Sequence, residues 1–222
     1  MCGRFTLHTD LSQIQKVFDL DKTVLESQPS YNVAPTQAVL TVVRQEGQNV
    51  LARMRWGLVP SWAKDISIGS KMINARAETL AEKPAFKRLL KSRRCLVVAD
   101  GFYEWQKQGN QKVPMHIRMK SGEPFGFAGL YDTWHSPDDE TIVSCTVITG
   151  APNKVVAPIH DRMPVILSRE AYAEWLDPAN TDPMDLLPLL TPYSPRDMEA
   201  FAVSRLVNTP ANNSAECIAP AA

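Results

Sequence analysis

No stretch of this 222-residue chain is long and apolar enough to cross a membrane as a helix, which takes about 18 apolar residues in a row. No apolar core follows the opening MCGRFTLHTD either, so a secretory leader is not expected. Net charge is missing as well, with 24 Lys and Arg against 24 Asp and Glu, and the total gives no hint of an anionic partner. Cysteine is sparse: Cys2, Cys95, Cys145 and Cys217 form no C-x-x-C pair, and the four histidines (8, 116, 135, 160) stand at no zinc-ligand spacing. A structural metal is therefore not expected, and no cofactor motif is present. A disulfide framework is not expected without a leader, so the chain reads as a cytoplasmic protein with reduced thiols. Proline is the exception to this scarcity. Its 17 residues, about 8% against a usual ~5%, favour turns and rigid loops over long helices.

The zero net charge conceals a split. Residues 1–120 carry 19 basic and 10 acidic side chains, whereas residues 121–222 carry 5 and 14. Such asymmetry points to an anionic partner or to halves that interleave on folding. Thr9-Asp10 marks a helix start, with Leu11, Ile14, Val17 and Phe18 at helical spacing. AVLTVVR (38–44) and VLARMRW (50–56) read as strands around a turn, Arg53 and Arg55 giving the second a basic face. Residues 57–75 read as a long irregular loop, and loops of that length tend to be functional. Further strands are predicted at 95–100, 102–106, 114–120, 125–131 and 141–149, with helices at 84–91, 168–176 and 183–190. Short strands with a few peripheral helices argue an α+β fold in a single domain, 1–222. Cys95 and Cys145 lie in apolar runs and read as buried.

Cys2 differs by position. Methionine aminopeptidases act before a small second residue, so removal of Met1 would leave an α-amine (pKa ~7.7–8.0) and a thiol (~8.5) on one residue. Such a 1,2-aminothiol condenses with an aldehyde to an imine and closes to a thiazolidine. The same residue could serve as an N-terminal nucleophile, or be only a tolerated small residue. Gly3 allows close backbone approach, and Arg4 adds a cation with a phosphate-matching fork.

Six segments in order, MCGRF (1–5), YNVAPTQ (31–37), RWGLVPSW (55–62), INARAET (73–79), ADGFYEW (99–105) and IHDRMPV (159–165), carry a resemblance to the SRAP family. These are the SOS response-associated peptidase proteins, which crosslink to abasic sites in single-stranded DNA. The resemblance covers residues 2 to about 209. It implies that Cys2 forms the thiazolidine and that Asn74, Glu104 and His160 are the other active-site residues. It places Arg4, Asn32, Pro35, Trp62, Arg76, Trp105, Thr149 and Arg162 on or beside positions that hold the strand. Ala63 departs from relatives with a second bulky residue after the tryptophan, leaving Trp62 alone as a wedge. The expected architecture is a curved, mostly antiparallel, barrel-like sheet with short peripheral helices.

The residue chemistry is consistent with those roles. Glu104 can act as general acid and base if Phe102, Tyr103 and Trp105 raise its pKa; the competing reading is a solvent-facing strand residue. His160 can relay protons near neutrality, or be a turn histidine bonded to Asp161. Asn74 can orient an amine or hydroxyl without changing charge, though alone it reads as a turn residue. Arg4, Arg76 and Arg162 suit phosphates, and Trp62 and Trp105 suit base stacking, whereas Trp56, Trp134 and Trp175 read as core. The expected partner is single-stranded DNA with abasic sites, bound by a monomer that is nucleoid-associated when on DNA. Lyase activity and self-removal of Met1 stay open alongside capture. The competing classes are an N-terminal-nucleophile glutamine amidohydrolase and a non-catalytic single-strand-binding module.

Overall fold

The computed structural model describes residues 2–20 and 27–221; Met1, whose removal the aminothiol chemistry needs, lies outside them. Along the chain run β1 (Phe5–Leu7), α1 (Leu11–Phe18), β2 (Ser30–Val33), β3 (Ala38–Gln45), β4 (Gln48–Trp56) and β5 (Asn74–Arg76). They are followed by α2 (Pro84–Ser92), β6 (Arg94–Ala99), β7 (Gly101–Gln108), β8 (Gln111–Met119), β9 (Phe125–His135) and β10 (Thr141–Gly150). The chain ends with β11 (Met163–Pro164), α3 (Arg169–Leu176), α4 (Pro183–Leu186) and β12 (Met198–Ala202).

Strands β4, β3, β6, β9 and β10 pair in that order, and β10 closes the ring onto β4, making a five-stranded barrel. Among the described residues every strand pairing is antiparallel except those of β10 with β4 and β5, and the isolated bridge of Leu20 with Asn49 is also parallel. The expected curved, mostly antiparallel α+β architecture is what forms. A second sheet, β12-β8-β7-β1-β2, packs against the barrel. Phe5 lies 5.0 Å from Trp56 and 5.9 Å from Phe127, and Phe102 lies 6.0 Å from Phe127.

Strand β6 shows why the barrel sequences are apolar without alternation. All six of its residues are buried, with Cys95, Val97 and Ala99 facing the inter-sheet core and Leu96 and Val98 facing the helices. Both faces are dry, so both sets of side chains must be apolar. Helices α1, α2 and α3 cover the outside through Ile14 and Phe18, Leu89 and Leu90, and Tyr172 and Trp175. Each such side chain fully buried contributes about 1.5–3 kcal/mol.

The region read as an irregular loop, 57–75, is ordered. Gly57, at φ 124°, and Gly69 cross so closely that a Cβ on either would come within 2.6 Å of the other's carbonyl oxygen. That crossing sends the chain out at Trp62 and back to β5. Ion pairs also interleave the two charge halves: Arg88 with Asp132 at 2.9 Å, Arg118 with Glu199 at 2.9 Å and Arg162 with Glu78 at 2.6 Å. No helix among the described residues is long and apolar enough to span a membrane, and no described cluster of His, Cys, Asp and Glu could hold a metal ion.

Candidate active site

Cys2 precedes β1 and is fully buried in the core between sheet and barrel, sharing it with Trp56, Val147 and Met163. Strand β1 is fixed by Asp100, whose buried carboxylate accepts from Thr6 Oγ1 (2.6 Å), His8 N (2.6 Å), Thr9 N and Thr9 Oγ1 (both 2.9 Å). The Cys2 thiol points its hydrogen at the Arg4 carbonyl, at 3.8 Å. Burial pushes its pKa well above the usual thiol range, and the charge of nearby Glu104 adds to the rise.

Glu104, on β7, is 3% exposed, which excludes the solvent-facing alternative. Burial raises its pKa, while the neighbouring charge of His160 pulls it back. Cys2, Glu104 and His160 are thus electrostatic neighbours. His160 sits on a tight turn, its N–H donating to Val156 O at 2.9 Å. Its Nδ1 lies 3.0 Å from both the Arg162 N–H and an Asp161 carboxylate oxygen. One nitrogen cannot accept from the first and donate to the second. The Asp161 side chain is 88% exposed and solvated, so the bond from the Arg162 N–H governs the orientation of the ring. The turn hangs on Asn153, whose Oδ1 accepts from Val155 N (3.0 Å) and Val156 N (3.1 Å) while Nδ2 reaches Tyr193 O (2.9 Å).

Asn74 opens β5 opposite Val147, and its Nδ2 lies a long 3.5 Å from Val147 O. Its Oδ1 is buried with no hydrogen-bond partner among the described residues. Such an orphaned acceptor is costly unless a ligand donor meets it. Ile73 and Ile159, adjacent to Asn74 and His160, pack on the core that holds Cys2.

The remaining predicted residues separate into those that reach solvent and those that do not. Arg76 and Trp62 are exposed, the latter by 64%. Trp62 stands on a braced loop: Ser61 N donates to Asp132 (2.9 Å), Trp134 Nε1 to Ala63 O (2.7 Å), and Arg88 to both Asp132 oxygens. Arg4 is half-buried; Nη1 donates to Asn32 Oδ1 and Val207 O, both at 2.7 Å, and its guanidinium lies 5.8 Å from the Trp105 ring centre. Asn32 is 1% exposed, its amide spent on the carbonyls of Val207, Thr209 and Asn212. Thr149 is fully buried beneath Arg162. Both therefore contact an arginine and do not open onto a surface. Pro35, partly exposed, lies in the turn after β2. Trp105 Nε1 donates to Asn208 Oδ1 at 2.8 Å. Trp56, Trp134 and Trp175 are buried, as their settings implied, and so are Cys95 and Cys145.

Reading the sequence did not single out Asp100, Asp132, Asn153 or Asn208. Each is one polar residue whose partners lie far along the chain, so no local spacing marks it. Cavities of about 300 Å³ beside Trp62 and about 310 Å³ between Lys120, Arg169 and Tyr193 are lined by none of Cys2, Asn74, Glu104 or His160.

Comparison with known proteins identifies the family. Residues 1–210 match the family described as SOS response associated peptidase (SRAP). The chain is 52% identical over 221 residues to abasic site processing protein YoqW of Bacillus subtilis (strain 168), covering 98% of this chain and 99% of that one. It is 38% identical to abasic site processing protein HMCES of Xenopus tropicalis, covering 86% of this chain and 66% of that one. Among solved structures, a protein from Bacteroides thetaiotaomicron superposes with a TM-score of 0.86 at 25% identity, covering 100% of both chains.

Proposed function

Because the chain belongs to the SOS response-associated peptidase family, we propose that it processes abasic sites in DNA by capturing the ring-opened sugar on Cys2. The observation that carries the reading is the buried pair of Cys2 and Glu104 beside the partly exposed His160, with the Asn74 acceptor left without a partner among the described residues.

An abasic sugar is mostly a cyclic hemiacetal. Glu104, its pKa raised by burial, donates a proton to the ring oxygen as the anomeric hydroxyl loses one, giving the aldehyde. The Cys2 α-amine, freed by loss of Met1, attacks the aldehyde carbon, and water leaves to form the imine. His160 relays protons in that step. The Cys2 sulfur then adds to the imine carbon and a proton passes to nitrogen, closing the thiazolidine with one water released overall. The buried thiol holds its proton tightly, so it needs a base at that moment, and the Glu104 carboxylate, having given up its proton, is beside it. Asn74 Oδ1 orients the amine or a sugar hydroxyl.

Arg76, Arg4 and Arg162 hold phosphates, with Asn32 and Thr149 aiming the latter two, and Pro35 borders the path. Trp62 and Trp105 stack bases, each worth ~1–3 kcal/mol without sequence readout. The favoured substrate is single-stranded, because a baseless nucleotide there need not be unpaired first. The protein acts as a cytoplasmic monomer. The imine also permits strand scission by β-elimination, a lyase side path.

The test is incubation with a single-stranded oligonucleotide carrying one abasic site, followed by a denaturing gel. A heat-stable shifted band, lost in Cys2→Ala, supports capture. Binding of the intact strand with no such band makes this a binding module, and ammonia released from glutamine makes it an amidohydrolase. A shortened strand without retained protein identifies the lyase.

A further inference from the structure

Among the described candidate phosphate contacts, Arg162 has its fork closed by a carboxylate. Its Nη1 and Nη2 donate to the two carboxylate oxygens of Glu78 at 2.6 and 2.9 Å, and Nη2 also donates to Thr149 O at 2.5 Å. The remaining edge nitrogen, Nε, is buried with no partner among the described residues. The carboxylate is the outer member of the pair: the Arg162 side chain is 19% exposed and that of Glu78 is 53%. A phosphate approaching from solvent meets Glu78 where it would need the two parallel N–H groups. Glu78 lies two residues beyond the exposed Arg76, in the turn that follows β5. An anion on the strand path therefore cannot engage Arg162 in a bidentate way while Glu78 stays in place.

From this geometry we propose that Glu78 is an intramolecular stand-in for a DNA phosphate, holding the Arg162 fork in the strand-free protein and yielding it to the strand. This rests on the preceding assignment of Arg162 as a phosphate contact. The exchange is feasible because a half-exposed ion pair shifts an equilibrium by only about fivefold or less. Its carboxylate is fully ionised at neutral pH, since the Arg162 hydrogen bonds hold its pKa below the usual range. Two consequences follow. Glu78 keeps the arginine aimed and sheathed, so stray anions gain little from it. It also makes strand binding less dependent on salt than the number of arginines suggests, because a freed carboxylate gathers cations as the phosphate sheds them.

The experiment measures binding of a labelled, lesion-free single strand by fluorescence anisotropy across a range of salt. Wild type, Glu78→Gln, Arg162→Ala and the double variant are compared, each with a melting curve to establish folding. Glu78→Gln should tighten binding about two- to fivefold at low salt and steepen the salt slope by up to about 0.7, one phosphate's share for a single strand. Most of that gain should vanish in the Arg162→Ala background. Weaker binding by Glu78→Gln, or an equal gain with and without Arg162, overturns the proposal and makes Glu78 a brace or a distant charge. Unchanged affinity for Arg162→Ala alone overturns instead the assignment of Arg162 on which it rests.

Discussion

Replacing Glu104 by Gln removes one ionisable proton and almost no volume. The side chain is 3% exposed, so the isosteric amide leaves no cavity and no new surface for the strand. What disappears is the proton donor for ring opening and the base for the buried thiol. General acid–base catalysis contributes about 10²–10⁴-fold, or ~2.7–5.5 kcal/mol of barrier. A compensating effect is small by comparison: the Glu104 charge raises the Cys2 pKa, so removing it eases thiol ionisation. Single-turnover crosslinking to an abasic oligonucleotide, sampled by quenching and denaturing gel, should therefore slow at least ~100-fold at neutral pH, while affinity for the intact strand changes by less than about twofold. The pH profile gives a second readout. With its pKa raised, Glu104 stays protonated to higher pH than an ordinary glutamate, and the wild-type rate falls as pH rises through that value. Glu104→Gln should lose this limb. A rate within about threefold of wild type, or a variant that retains the limb, would refute the acid–base assignment.

Other expectations follow from burial and charge. His116 is 1% exposed, and burial depresses its pKa from 6.5 to about 4. The unfolded chain takes up that proton first as pH falls, so stability should drop between pH 6.5 and about 4 by up to ~3 kcal/mol, seen as a falling urea midpoint. His116→Gln should flatten this interval, and an unchanged slope would exonerate His116. Asp132→Ala strips acceptors from Ser61 N and Arg88 and should cost about 1–3 kcal/mol of stability. It should also weaken strand binding about as much as Trp62→Ala, and intact binding would show that the loop needs no brace. Arg76→Ala should lower crosslinking at limiting protein and reduce the salt slope by about 0.7; no change in slope removes Arg76 from the phosphate contacts.

Much of the barrel was readable because β6, β9 and β10 are buried on both faces over most of their length and appear as mainly apolar runs. The hairpin of β3 and β4 carries its turn residues locally. Strands β1, β2, β5, β11 and β12 were not readable, because two to five residues set no period and their partners are distant in sequence. Strand β5 is the clearest case: three residues inside an apparent loop become a strand only because β10 runs parallel beside them. At the site, Cys2 is marked by its place in the chain, and Glu104 and His160 by the segments around them. Their supports are not marked. Asp100 gathers four donors from β1 and the link to α1, about ninety residues away, and no spacing rule reaches that far. Even the quoted INARAET segment did not disclose that its glutamate grips Arg162.

Strand β10 has a genetic consequence. Between Val147 and Gly150 it pairs with β9, β5 and β11, directly after Ser144 and Cys145 close the barrel onto β4, so the closure and the floor beneath Asn74 and Arg162 lie on one continuous run of strand. Alleles here cannot separate loss of activity from loss of the protein. A mutational screen scored for DNA capture and for cellular abundance should return correlated failures along Val147–Thr149. Separation-of-function alleles should cluster instead where side chains leave the fold, at Trp62, Arg76 and Glu78.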